Sequence, residues 1–282
     1  MRRNSLSVLL SILAALALAG SAGCSSDDGS GESAGGGDET TTTAPTTTSE
    51  VDLPTVLVTN DDGVGAEGID ALVNALVDRG DVEVVVVAPL ENQSGSGGKT
   101  TEGELVVTDA ETLSGHPAKA VGGFPADTVV WALGEGGIEP DLVISGINDG
   151  QNVGPLVDIS GTVGAARQAA QMGVPAVATS QGLGDPADFP SGVEATMAWL
   201  DEHLEEAVAG ELGTEGITSI NIPTCTTGEI QGVLDVPVAV DNTVDLTVVD
   251  CTSEIEPTDD VTAFVNGWVA VTELAPTGSV TE

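Results

Sequence analysis

The chain has 282 residues and sets 45 Asp and Glu against 6 Lys and Arg, for a formal net charge of -39. Arg2 and Arg3 stand at the extreme N-terminus, so the rest of the chain has no basic cluster to neutralise a nucleic-acid polymer, and an anionic membrane surface would repel it. Aromatic residues are only 2% of the total, which leaves Val, Leu, Ile and Ala to build the core of one α/β domain of about 220 residues.

The first segment reads as an address. Two arginines precede an apolar stretch, Leu6 to Ala19, of about 14 residues, which is signal-peptide length and too short to span a bilayer. Gly20, Ser21, Ala22 and Gly23 then lead to Cys24. This arrangement resembles the lipobox of bacterial lipoproteins, where cleavage occurs before a Cys that carries a lipid; Ser21 stands where that motif usually has Leu. The expectation is a lipoprotein signal peptide over 1–23 and a lipid on Cys24. The protein would then be exported and would meet a membrane through that anchor only. An ordinary secretory signal is the alternative. Residues 24–52 are Ser, Gly, Thr, Asp and Glu without apolar periodicity, so they read as a disordered polar linker. With Cys24 lipidated, Cys225 and Cys251 are left as a candidate disulfide pair in an oxidising compartment; two buried free thiols are the other reading.

Residues 53–282 read as the folded domain. Val56-Leu57-Val58 is a buried strand, helical spacing of Ile69, Leu72, Val73, Leu76 and Val77 follows, and Val82 to Ala88 is a second strand. Strand, helix, strand predicts a parallel sheet with a right-handed crossover. Short strands are expected at Leu105–Val107 and Ala118–Val121, a helix at Pro125–Leu133 with Pro in its first turn, and a buried strand at Leu142–Ile144. A small-residue helix over Gly161–Met172, a strand at Pro175–Thr179, an amphipathic helix through Val193, Met197, Leu200, Leu204 and Val208, and a strand at Ile220–Ile222 complete the alternating part. From Glu229 alternation dominates, and hairpins are expected over Val233–Val240, Val244–Val249 and Val261–Val271.

Three polar clusters follow buried strands: Asn60-Asp61-Asp62-Gly63, Asn92-Gln93-Ser94-Gly95 and Ser145-Gly146-Ile147-Asn148. In an open α/β sheet the carboxyl ends of strands line the ligand crevice. Two carboxylates, a hydroxyl and a carboxamide are hard oxygen donors, which suit one divalent ion, Mg2+ or Mn2+, better than zinc. Each cluster alone would pass for a polar turn; three in sequence weaken that reading. Downstream, a Gly/Asn loop containing Asn152 leads to Ser160-Gly161-Thr162 at a helix start, where unpaired N–H groups make an anion site. Ser160 also reads as a plain N-cap. His116 and His203 receive no catalytic role.

The strings Thr59-Asn60-Asp61-Asp62-Gly63, Ser145 to Gly154 and Ser160 to Ala166 resemble the signature motifs of the SurE family of 5'/3'-nucleotidases. So do Ala88-Pro89 with Ser94-Gly95, Pro125-Ala126-Asp127, and the closing Val265 to Thr272. The resemblance implies a Rossmann-like α/β fold, a mostly parallel sheet flanked by helices with a C-terminal β-hairpin region. It also implies a metal-dependent phosphomonoesterase acting on nucleoside monophosphates. By motif position Asp61, Asp62, Ser94 and Asn148 would ligate the metal, with the Asp61/Asp62 pair catalytic. Asn152, Ser160, Gly161 and Thr162 would face the phosphate. The family's homodimer with its arm-exchanging hairpin is a further expectation, although Cys225 to Pro257 is only weakly similar. Three departures stand out: Leu90-Glu91 replaces the family's usual Asp-Arg, Thr128 stands where Cys is usual, and Lys99 is the one base near the expected mouth. Relatives are commonly cytoplasmic, whereas this chain carries an export signal. A lipid-anchored protein that binds nucleotide or phosphate without turnover is the competing reading.

Overall fold

The computed structural model describes residues 53–278; the expected signal peptide, Cys24 and the linker lie outside the described residues. The strands are β1 (Thr55–Thr59), β2 (Glu83–Pro89), β3 (Val107–Glu111), β4 (Pro117–Val121), β5 (Leu142–Asp149), β6 (Ala176–Gln181), β7 (Ile217–Ile222), β8 (Val233–Asp235) and β9 (Val269–Leu274). They form one sheet in the order β3-β4-β2-β1-β5-β6-β7-β9-β8. Only β3 against β4 and β7 against β9 run antiparallel. The helices are α1 (Glu67–Arg79), α2 (Pro125–Leu133), α3 (Gly161–Gln171), α4 (Phe189–Val208) and α5 (Asp260–Val265).

The continuous apolar runs of β1 and β5 are buried because helices cover both faces of the sheet. Leu72 and Leu76 of α1 and Leu200 and Leu204 of α4 pack with Ile144 and Ile220 on one side. On the other side Val129 of α2 and Val163, Ala166 and Ala169 of α3 pack with Leu57 and Val143. The small side chains of α3 let its backbone come close to the loop after β2: a Cβ at Gly164 would stand 2.2 Å from the Gly97 carbonyl oxygen. Strand β1 sits between β2 and β5. The chain leaves β1 toward one edge and later returns on its other side, so the crevice opens where β1 and β5 end.

The C-terminal region differs from the expected hairpins. Among the described residues, β8 is three residues long and pairs parallel to β9, residues 244–249 form no strand, and the apolar run beginning at Val261 is helical. The cause is local. Asp259 accepts a 2.8 Å hydrogen bond from the Thr262 N–H and caps α5, and Gly267 at φ +83 ends the turn that follows. Val153, Leu246, Val261 and Phe264 close a third, small core there. Strand β3 also starts where the expected strand at Leu105–Val107 ends. Cys225 and Cys251 are joined by a disulfide with Cα atoms 5.8 Å apart.

Basic side chains are mostly engaged. Arg79 pairs with Asp81 and Asp201, Lys119 with Asp109, and Arg167 with Asp158.

Candidate active site

The turn after β1 presents the two carboxylates. Asn60 clips it: its side-chain N–H donates to the Gly63 carbonyl at 2.9 Å, and its Oδ1 accepts from the Gly63 N–H at 3.2 Å. Gly63 takes φ +104, which a side chain would strain, so the Asn-Asp-Asp-Gly order has a backbone reason as well as a chemical one. The loop after β2 is held to the same turn, because the Gln93 N–H donates to the Asp61 carbonyl at 2.7 Å. That bond brings Ser94 beside Asp61.

Asp61 is buried, and Thr162 donates its hydroxyl to Asp61 Oδ1 at 2.6 Å. Burial pushes the Asp61 carboxyl up, against the Thr162 hydroxyl and the backbone N–H groups of Thr162 and Gly161, which favour its charged form. Gly161 is needed for this approach: a Cβ there would stand 2.7 Å from the Asp61 Cβ. Asp62 accepts from the Asp149 N–H at 2.9 Å and from the Asn92 amide at 3.1 Å. Its carboxyl is nevertheless raised to about 6, first by burial and then by the neighbouring charges of Asp61 and Asp149.

Strand β5 delivers Asn148 through a register shift between Ser145 and Asn148. Gly146 at that irregularity is at φ +141, and a Cβ would stand 2.3 Å from the Thr179 carbonyl oxygen. The Asn148 amide donates to the Gly150 carbonyl at 2.6 Å, which leaves its Oδ1 as an acceptor for a cation. Asn152 is locked from both ends: its N–H donates to Asn221 Oδ1 at 2.7 Å and its amide to the Ser180 hydroxyl at 2.9 Å. Ser160 caps α3, accepting from the Val163 N–H at 3.1 Å.

A cavity of about 270 Å³ collects Asp61, Ser94, Asn148, Asn152 and Ser160. Asp62 opens instead on an adjoining cavity of about 250 Å³, with Asn92 and Asp149. Gly161 and Thr162, expected to face phosphate, are not among the cavity's lining residues; they stand behind Asp61 and fix its carboxylate. Their N–H groups meet an internal anion first. A larger cavity of about 330 Å³ between α4 and β9, lined by Trp199, His203, Val271 and Glu273, contains none of the expected site residues. His203 is half-buried there, stacked on Trp199 at 4.4 Å, with Nδ1 against the Trp199 carbonyl.

Among the described residues no group of three or more His, Cys, Asp or Glu side chains could hold a metal ion. The expected set has only two carboxylates and draws its other donors from Ser94 and Asn148. It fits a hard cation on two grounds. Every donor is oxygen. In addition, Asn148 spends its amide nitrogen on the Gly150 carbonyl and lines the same cavity as Asp61 and Ser94, so its Oδ1 is left for an ion. Sequence reasoning left Asn92, Asp149, Ser180 and Asn221 without roles, yet they aim Asp62 and Asn152. Only their tertiary contacts reveal this. Thr128, in place of the usual Cys, bonds the Thr59 hydroxyl at 2.7 Å and ties α2 to the end of β1.

Comparison with known proteins agrees with this geometry. The family described as "Survival protein SurE" matches residues 56–242. A Brevibacillus brevis protein named 5'-nucleotidase SurE is 40% identical over 185 residues, covering 64% of this chain and 70% of that one. A Halobacterium salinarum protein of the same name is 40% identical over 183 residues, covering 62% and 67%. The crystal structure of SurE protein from Aquifex aeolicus superposes with a TM-score of 0.64 at 28% identity, covering 79% of this chain and 94% of that one. With the family matching residues 56–242 and relatives of that name 40% identical over most of their length, the chain belongs to the SurE family.

Proposed function

We propose that this protein hydrolyses nucleoside 5'- and 3'-monophosphates to nucleoside and phosphate. The carrying observation is the cavity at the switch point of the sheet, where Asp61, Ser94, Asn148, Asn152 and Ser160 converge. The P–O ester bond breaks, water supplies the new oxygen on phosphorus, and the nucleoside leaves with a proton on its hydroxyl.

Asp61, Asp62, Ser94 and Asn148 would hold one Mg2+ or Mn2+, which when bound polarises the phosphoryl oxygen and lowers the pKa of the attacking water. Thr162 holds Asp61 in a single orientation, so Asp61 is suited to be a fixed ligand. Asp62, steadied by the Asp149 N–H and the Asn92 amide, is the second carboxylate of the pair, serving the ion as a ligand or taking the proton of the attacking water from the adjoining cavity. Ser160, which accepts from Val163, keeps its own O–H to donate to a phosphoryl oxygen. Asn152, locked by Asn221 and Ser180, orients the phosphate from the other end of the loop.

Phosphate release from AMP with Mn2+ or Mg2+ tests this directly. Release is expected, with loss on chelation and in Asp61→Asn. Release indifferent to chelation and to Asp61→Asn, or none under any divalent ion, would overturn the reading. We also propose, on the sequence of residues 1–52, that the protein is exported and anchored by a lipid on Cys24. Labelled fatty acid should enter the protein in cells and be absent from Cys24→Ala. The homodimer expected from the resemblance is likewise proposed, with sedimentation as its check.

A further inference from the structure

The catalytic cavity has a second character besides its polar one. Leu156, Ile159 and Leu183 also line it. Ile159 is 57% exposed and Leu183 55%. Single exposed aliphatic side chains are ordinary. Two at the rim of one cavity, on backbone that cannot collapse over them, are not.

Both positions are pinned. The Ile159 carbonyl accepts from the Gly97 N–H at 2.9 Å, and its N–H donates to the Leu156 carbonyl at 3.1 Å. The Leu183 N–H donates to Gln151 Oε1 at 3.3 Å. Next to it the Gly182 N–H donates to the Ile222 carbonyl at 2.7 Å, and the Gly182 carbonyl accepts from the Thr224 hydroxyl. A Cβ at Gly182 would stand 2.7 Å from Phe264, so that backbone is wedged in place. The Leu183 side chain reaches toward Gly150, where a Cβ would stand 3.6 Å from Leu183 Cδ2 and 3.8 Å from the Asn148 amide nitrogen. An apolar group is therefore fixed beside a proposed metal ligand while remaining in water.

We propose that Ile159 and Leu183 form the subsite that grips the leaving alcohol of the phosphomonoester, through the apolar carbon of a nucleoside or aryl group. The inference rests on the phosphomonoesterase reading of the same cavity. The phosphate belongs with the polar residues, and the organic half of the substrate must extend from it. The aliphatic rim is the part of the lining that gains by being covered. Gln151, the carboxamide beside the rim, has both ends engaged, since it accepts from Leu183 and donates to the Leu246 carbonyl at 3.2 Å. Among the described residues no aromatic, Lys or Arg side chain lines the cavity. Selection therefore follows the apolar bulk of the leaving group more than the hydrogen-bonding edge of a base.

The test compares three substrates, AMP, p-nitrophenyl phosphate and glycerol phosphate, in the wild type, Ile159→Ala, Leu183→Ala and the double variant. In the double variant kcat/KM for the two bulky substrates should fall about ten- to hundredfold. Glycerol phosphate turnover and inhibition by orthophosphate should stay unchanged, and unaltered melting would show intact folds. An equal loss on glycerol phosphate, or no loss on AMP, overturns the subsite. A wild type that hydrolyses none of the three overturns the enzymatic reading itself, a result distinct from either of these.

Discussion

The hydroxyl of Thr162 donates a 2.6 Å hydrogen bond to Oδ1 of Asp61, from the first turn of α3 to the end of β1. It joins residues 101 apart in the chain and leaves the carboxylate a single orientation. Thr162→Val keeps the shape and removes the donor. A hydrogen bond to a charged group contributes about 1.5–3 kcal/mol. Loss of such an outer partner typically weakens metal affinity or activity about 10–100-fold. Titration calorimetry with Mn2+ should show that loss, and Thr162→Ser should recover most of it. Wild-type affinity in the Val variant would remove Thr162 from the site.

Asp62 makes a prediction about pH. Its folded-state carboxyl is raised from 3.8 to about 6, so between those values the folded chain binds more protons than the unfolded one. Stability therefore falls as pH rises through this window, and the loss persists above it. Asp61 and Asp260, also raised by burial, act with the same sign. Asp70 and Asp259 are lowered and act oppositely, in the acid range. Metal-free protein should melt higher near about pH 5 than at neutral pH. Asp62→Asn should raise the metal-free melting temperature at neutral pH, by roughly 2–4 °C per kcal/mol relieved in a domain of this size, while abolishing most activity. Calorimetry in chelator across pH measures both, and a lowered neutral-pH melting point in this variant would contradict the assignment.

The Cys225–Cys251 bond closes a segment with a sequence separation of 26. Constraining a loop of that length contributes about 3 kcal/mol on the chain-entropy account. Reduction, or the double Cys→Ala variant, should lower the melting temperature by roughly 6–12 °C. The candidate active-site cavity is lined by neither cysteine, so kcat in the cold should change little. An unchanged melting point in reductant would deny the bond a structural role.

Much of the fold can be read from the chain. The helix expected over Pro125–Leu133 has those bounds in the structure, and α3 ends one residue short of its expected limit. Both carry end signals, Pro at one start and a Ser cap at the other, together with an apolar face. The region after Glu229 misleads because its Val-rich runs satisfy two periods at once. Val261-Thr262-Ala263-Phe264-Val265 is short enough for either, and the Asp259–Thr262 cap decides in favour of helix. Strand β3 carries Thr108, Asp109 and Glu111 on an exposed edge and so sends no hydrophobic signal. At the site, Asp61, Ser94, Asn148, Asn152 and Ser160 do reach one cavity. The position of Thr162 behind Asp61 depends on how closely a helix tip approaches a strand end, which no spacing in the sequence encodes.

The pairing of Arg79, Lys119 and Arg167 with acids has a consequence for substrate capture. A dianion drifting toward a body this strongly negative meets a repulsive long-range field. Dissolved salt shortens the reach of that field to about 8 Å at physiological strength. Dilute buffer is thus where encounter should be slowest, the opposite of an enzyme that steers phosphate along a funnel of lysines.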